Sequence, residues 1–231
     1  MSNTRESTGN LTPAQKRELL ARLLKEKAQQ EVIRSPLSYG QRSLWFLYQL
    51  DPTSAAYNVM YAARLRADFD RQALQRAFQA LVNRHPVLRT TYGMHEGSLV
   101  QQVHAYHELP FQVVDATTWA SARLEEEIGA ESDKPFDLEE GPVIRVVVFQ
   151  RPAGERPVIL FAAHHIALDF WSFDLLFDEL EALYRQEVTG TEASLWPQKI
   201  HYTDYVRWQE TMLADPEGQR HGEYWQEQLS G

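Results

Sequence analysis

The sequence contains no cysteine, which excludes disulfides, thiolate nucleophiles and cysteine-ligated zinc or iron–sulfur centres. No run approaches ~18 uninterrupted apolar residues, so nothing reads as a membrane-spanning helix. There is no basic excess: 23 Lys and Arg stand against 32 Asp and Glu, a formal charge of −9. Sequence-independent binding to nucleic acid or to an anionic membrane needs the opposite sign. Internal repeats and low-complexity tracts are absent. Met1 to Asn10 is polar and mixed in charge, unlike a secretory signal. The remainder is globular in composition, with 43% hydrophobic and 24% charged residues over 231 positions. That length suits one large domain or two small ones. The expectation is a soluble cytoplasmic protein, and composition alone says no more about its function.

Residues 1–34 read as a tail followed by a linker or docking helix. Thr12 can cap, Pro13 suits the first helical position, and Gln15 closes a capping box. Leu19, Leu20, Leu23 and Leu24 give a narrow apolar stripe on a charged helix to about Gln30. Ser35-Pro36 marks a boundary. Ser38 to Gln41 repeats the capping signature ahead of a helix ending at Asp51-Pro52. Strand character follows at Asn58–Arg66, then a helix capped by Asp70 and ended by Pro86. Two strands are expected at Leu88–Tyr92 and Leu99–His104, and a helix from about Trp119 to Glu131. Pro142–Gln150 and Pro157–His164 are apolar at nearly every residue, which predicts strands buried on both faces. Ser172 reads as the cap of a helix carrying Phe173, Leu176, Phe177, Leu180 and Tyr184. Two helices divided at Asp215-Pro216 complete the pattern. The alternation predicts an α/β (α+β) fold, a mixed and mostly antiparallel sheet with packed helices.

The chemistry concentrates at Ala163-His164-His165-Ile166-Ala167-Leu168-Asp169-Phe170-Trp171-Ser172. Two histidines end a buried strand just ahead of a capped helix, a place where α/β sheets often build sites. Adjacent strand residues point to opposite faces, so one imidazole can face a cleft while the other packs inside. The same geometry speaks against a shared metal ion, and no metal site is expected. The alternative for such a pair is two structural histidines at a strand end.

His164-His165-x-x-x-Asp169 resembles the HHxxxDG motif of the condensation-domain superfamily of nonribosomal peptide synthetases, which chloramphenicol acetyltransferase shares. Ser38-Tyr39-Gly40-Gln41-Arg42-Ser43-Leu44-Trp45 is similar to the opening SxAQxRLW motif, with Gly40 for Ala and Ser43 disturbing the usual order. Arg84-His85-Pro86-Val87-Leu88-Arg89-Thr90-Thr91-Tyr92 resembles RHxxLRTxF. Pro135-Phe136-Asp137-Leu138 with Gly141-Pro142 is similar to PFDL-x-x-GP. Tyr202-Thr203-Asp204-Tyr205-Val206-Arg207-Trp208-Gln209 resembles YxDYxxWQ. These occur in family order from residue 35 onward. Two departures stand out: Phe170 replaces the usual Gly, and the motifs of a second lobe are missing. The resemblance therefore implies the N-terminal lobe alone, residues 35–231, of chloramphenicol acetyltransferase-like fold.

The resemblance implies an acyltransferase forming an amide, less often an ester, in nonribosomal peptide or hybrid polyketide biosynthesis. Its substrates would arrive on 4'-phosphopantetheine arms of peptidyl or acyl carrier proteins, with no cofactor bound by this lobe itself. His165 matches the catalytic histidine, and His164 is assigned a structural role. Asp169 matches a structural carboxylate that pairs with an arginine, Arg84 being the first candidate and Arg89 the second. The other reading of Arg84 is a cation complementing a helix C-terminus. Trp208 and Trp45 are expected to pack. No G-x-S-x-G elbow supports a serine hydrolase, so Ser172 receives no nucleophilic role. Expected partners are carrier proteins, the C-terminal lobe, and an upstream synthase met through the N-terminal helix. Alternatives are a self-sufficient trimeric CoA-type acetyltransferase, or a non-catalytic docking lobe for carrier proteins. As a severed lobe, the fragment is expected to be inactive alone.

Overall fold

The apolar runs near residues 150 and 160 form the centre of the molecule. The computed structural model describes residues 32–66 and 68–230, so the capped helix expected over 12–30 lies outside the described residues. Strands β6 (Ile144–Gln150) and β7 (Val158–His164) pair antiparallel, with Val146 opposite Phe161 and Val148 opposite Ile159. Alternation places these four on one face and Val147, Phe149, Val158 and Leu160 on the other. The first face meets α2 (Arg71–Arg84) and α4 (Phe170–Thr189) through Phe78, Leu81, Phe173 and Leu176. The second meets α3 (Ser121–Ser132) through Leu124. Cover on both faces is why these strands could be apolar at nearly every residue. Phe161 lies edge-on to Phe173 at 5.3 Å and tilted to Phe78 at 5.7 Å. Truncating such a ring to alanine costs about 3–5 kcal/mol.

Around this hairpin, β2 (Asn58–Arg64) pairs antiparallel with β7, and β5 (Phe111–Asp115) pairs parallel with β6, giving the order β2-β7-β6-β5. A second, antiparallel sheet has the order β1-β4-β3, from Val32–Pro36, Ser98–His104 and Thr90–His95. The mixed, mostly antiparallel architecture matches the expectation. Helix α1 (Tyr39–Leu50) begins with the capping box at Ser38 and Gln41 that its sequence announces. Helices α5 (Tyr202–Ala214) and α6 (Pro216–Leu229) meet at Asp215, whose carboxylate caps α6 by accepting from the N–H groups of Glu217 and Gly218. A Cβ on Gly218 would collide with the Met212 carbonyl, so the tight junction of the two helices needs glycine there.

Four details differ from the expectation. β1 crosses the boundary placed at residues 34 and 35, because its backbone pairs with Val100–His104 of β4. β5 has no counterpart in the expected elements; its ladder to β6 supplies the order that a five-residue run lacks by itself. Leu88 and Arg89 belong to a 3₁₀ turn (Pro86–Arg89) before β3, since Pro86 suits the first position of a helical turn. Helix α4 starts at Phe170 rather than after Ser172, because Asp169 is the cap.

Candidate functional site

Strand β7 ends at His164, and the chain turns over residues 165–168 into α4. Ile166 and Leu168 bury their side chains in the main core, which anchors the turn and leaves His165 exposed. The backbone N–H of His165 donates to the Tyr57 carbonyl at 2.8 Å, fixing the turn to the segment before β2. His165 Nδ1 lies 2.8 Å from the Leu168 carbonyl oxygen. A carbonyl only accepts, so Nδ1 carries a proton, and in the neutral ring Nε2 presents the lone pair.

His164 takes the other role. It is 5% exposed, near Tyr57 and edge-on to Phe136 at 6.5 Å. Its Nδ1 accepts from the Ile166 N–H at 3.1 Å, which places its proton on Nε2. Burial first, and the neighbouring His165 second, lower its pKa to about 4. A neutral His164 adds no positive charge beside His165. The two imidazoles thus point into different environments, His164 as the last residue of β7 and His165 as the first of the turn.

The expected pairing of Asp169 with Arg84 or Arg89 is corrected by the structure. Asp169 is exposed, and its Oδ1 accepts from Ser172 N–H at 2.9 Å and Ser172 Oγ at 2.7 Å. These bonds, with the Ser172 hydroxyl the largest influence, lower its pKa. Asp169 is an N-cap, and Ser172 is its partner rather than the cap. Arg84 instead binds Glu179 of α4 with two nitrogens, and also donates to the Trp196 carbonyl. His85 Nε2 lies 2.5 Å from the same carboxylate. Arg89 donates to the carbonyls of His104 and Asn83, tying β4 to the end of α2. Both arginines spend their hydrogen bonds on these acceptors and none on Asp169, although the buried Nε of Arg89 has no partner. Glu179 was not singled out from sequence, although a carboxylate between Leu176, Leu180 and Leu183 on a buried stripe was a signal.

The two tryptophans expected to pack behave differently. Trp45 is buried against Tyr48, whereas Trp208 is 58% exposed, with the ring of Tyr205 tilted beside it at 5.7 Å. Phe170 replaces glycine without backbone strain, since Glu96 alone among described non-glycine residues has positive φ. Its ring leans on Phe173 at 6.1 Å yet remains 67% exposed, and Trp171 is 81% exposed. Among the described residues, no group of three His, Asp or Glu could hold a metal ion, and no helix is long and apolar enough to cross a membrane.

A family model described as Condensation domain matches residues 29–231. Chondramide synthase cmdD of Chondromyces crocatus is 35% identical over 199 residues, covering 84% of this chain and 5% of that protein. Phosphinothricin tripeptide synthetase PhsC of Streptomyces viridochromogenes is 35% identical over 206 residues, covering 85% of this chain and 18% of that protein. The starter condensation domain of rhizomide synthetase RzmA superposes with a TM-score of 0.77 at 18% identity, covering 86% of this chain and 48% of that one. The first condensation domain of the calcium-dependent antibiotic synthetase, in complex with a substrate analogue, gives 0.75 at 19% identity, covering 86% and 48%. The structural likeness establishes the fold. The chain spans about half of each solved domain and a small part of each curated relative.

Proposed function

This chain belongs to the condensation-domain family, and from that premise we propose that it is the N-terminal lobe of an acyltransferase joining a tethered acyl donor to a tethered amine. The observation that carries this reading is the 2.8 Å contact of His165 Nδ1 with the Leu168 carbonyl oxygen, which in the neutral ring leaves Nε2 as the acceptor just past the end of β7. A neutral amine attacks the thioester carbon, the new C–N bond forms, and the C–S bond breaks. Nε2 accepts the proton the amine sheds, and the departing thiolate takes a proton in turn. Base catalysis of this kind contributes ~10²–10⁴-fold, and alignment of the two reactants can contribute more. The partners on this reading are carrier proteins bearing phosphopantetheine thioesters and a C-terminal lobe that closes the other side of the channel. The segment before residue 32 would meet an upstream synthase, and the setting would be the cytoplasm of a producer of peptide or hybrid polyketide products.

The test uses a condensation domain carrying this lobe, with donor and acceptor carrier proteins loaded and product read by mass spectrometry. His165→Ala should lower turnover by at least ~10²-fold with the fold intact. Equal turnover would remove the role of His165. The 231-residue chain alone should fold without forming product, and product at the full rate from the chain alone would favour a self-sufficient acyltransferase.

A further inference from the structure

We propose that Gln41 and Tyr92 are positioning residues for His165, acting together on the carbonyl of Ile166. The inference rests on the role given to His165 above. Three stretches far apart in sequence bring these groups together. Gln41, in the first turn of α1, is 2% exposed, and Tyr92 in β3 is fully buried. Gln41 Oε1 accepts from the Ser38 N–H at 3.0 Å, which fixes the orientation of the carboxamide. Its Nε2 then faces the Tyr92 hydroxyl at 3.3 Å and the Ile166 carbonyl at 3.5 Å. The Tyr92 hydroxyl donates to the same carbonyl at 3.4 Å.

Buried polar atoms need partners, and this set closes on itself: every donor of the two side chains ends on an acceptor within it. Burial, and to a lesser degree Tyr202, push the Tyr92 hydroxyl well above its ordinary range, so it remains a donor. The bonds are long, so none alone defines the turn. Together they aim the Ile166 carbonyl into the core, while the Ile166 N–H is held by His164. Residue 166 is thereby fixed on both sides of its α-carbon, immediately after His165. The other end of the network is also tied down, because Ser38 Oγ bonds the Tyr202 hydroxyl of α5 at 2.8 Å. Gln41 reaches both the Tyr92 hydroxyl and the Ile166 carbonyl, whereas Tyr92 donates once, so Gln41 should carry the larger share.

The experiment reads the His165 tautomer by ¹⁵N NMR on the labelled 231-residue chain, and kcat and KM in a condensation domain carrying the lobe. The parent should show the Nδ1–H form. Gln41→Leu should mix the tautomers and lower kcat about 10- to 100-fold at unchanged KM, as small misplacements of a reacting group do. Tyr92→Phe should act in the same direction but by less. A folded Gln41→Leu chain with the parent tautomer and kcat would overturn the proposal. If Gln41→Leu does not fold, Tyr92→Phe decides by the same readout: a shifted tautomer supports positioning, and the parent tautomer overturns it. The tautomer is read without substrate, so absence of turnover in the parent would count against the proposed function and leave this result standing.

Discussion

Arg84 holds Glu179 with two nitrogens, Nε 2.8 Å from Oε2 and Nη2 3.1 Å from Oε1. The pair joins the end of α2 to the middle of α4, and so steadies the helix that Asp169 caps and Phe170 opens. Glu179 is nearly buried and Arg84 is partly so. Replacing Glu179 by Gln removes the charge while keeping the shape. The expected loss is about 2–3 kcal/mol, the scale of hydrogen bonds to charged groups, visible as a lower midpoint in urea. Asp169→Asn in the same assay should change little. The reverse ranking would restore Asp169 as the partner of Arg84.

Acid should weaken the fold in two stages. His164 has a folded pKa of about 4 against about 6.5 in an unfolded chain. The unfolded state therefore binds more protons between those values, and stability falls as pH drops from ~6.5 to ~4. The full span is about 3 kcal/mol at 1.36 kcal/mol per unit. Burial would raise the Glu179 pKa, but hydrogen bonds from Arg84 and then His85 outweigh it and hold it low. Its contribution is complete above the ordinary glutamate range and is lost as pH falls through the lowered value. Urea midpoints from pH 8 to pH 3 test both stages. His164→Asn should flatten the upper stage and leave the lower one; an unchanged upper stage would show that His164 is not its source.

Asp169 should matter through its cap. Asparagine caps nearly as well as aspartate, and alanine does not. Asp169→Ala should cost about 1 kcal/mol and loosen the first turn of α4, including the Leu168 carbonyl that orients His165. Turnover should fall with Ala and survive with Asn. Equal loss in both variants would point to the charge rather than the cap.

Large apolar side chains lie open on the described surface: Phe170 and Trp171 at the start of α4, Trp196 before α5, and Trp225 on α6. Exposed apolar side chains of this size favour association. Sedimentation velocity on the 231-residue chain should show concentration-dependent self-association despite the charge of −9. The pair Trp171→Gln and Trp225→Gln should reduce it. A monomer at every concentration would contradict the expectation, and a discrete trimer would favour the acetyltransferase-like alternative.

The sequence by itself determined the elements whose causes are local. The capping box at Ser38 and Gln41, the helix break at Asp215-Pro216 and the double-sided apolar runs of β6 and β7 depend on neighbours a few residues away. The boundary between His164 and His165 is different in kind, since β7 ends at His164 and the turn that follows carries His165 outward. Only the tertiary structure decided which charges pair. Arg84 had several carboxylates in the chain to choose from, and the packing of α2 on α4 brought Glu179, 95 residues on, within reach. β1 and β5 became strands because ladders to β4 and β6 complete their hydrogen bonds, a long-range gain that their own residues do not encode. The proton on His165 Nδ1 was likewise set in three dimensions, since a backbone carbonyl leaves no mark on residue type and reaches the ring only once the turn from β7 into α4 has formed.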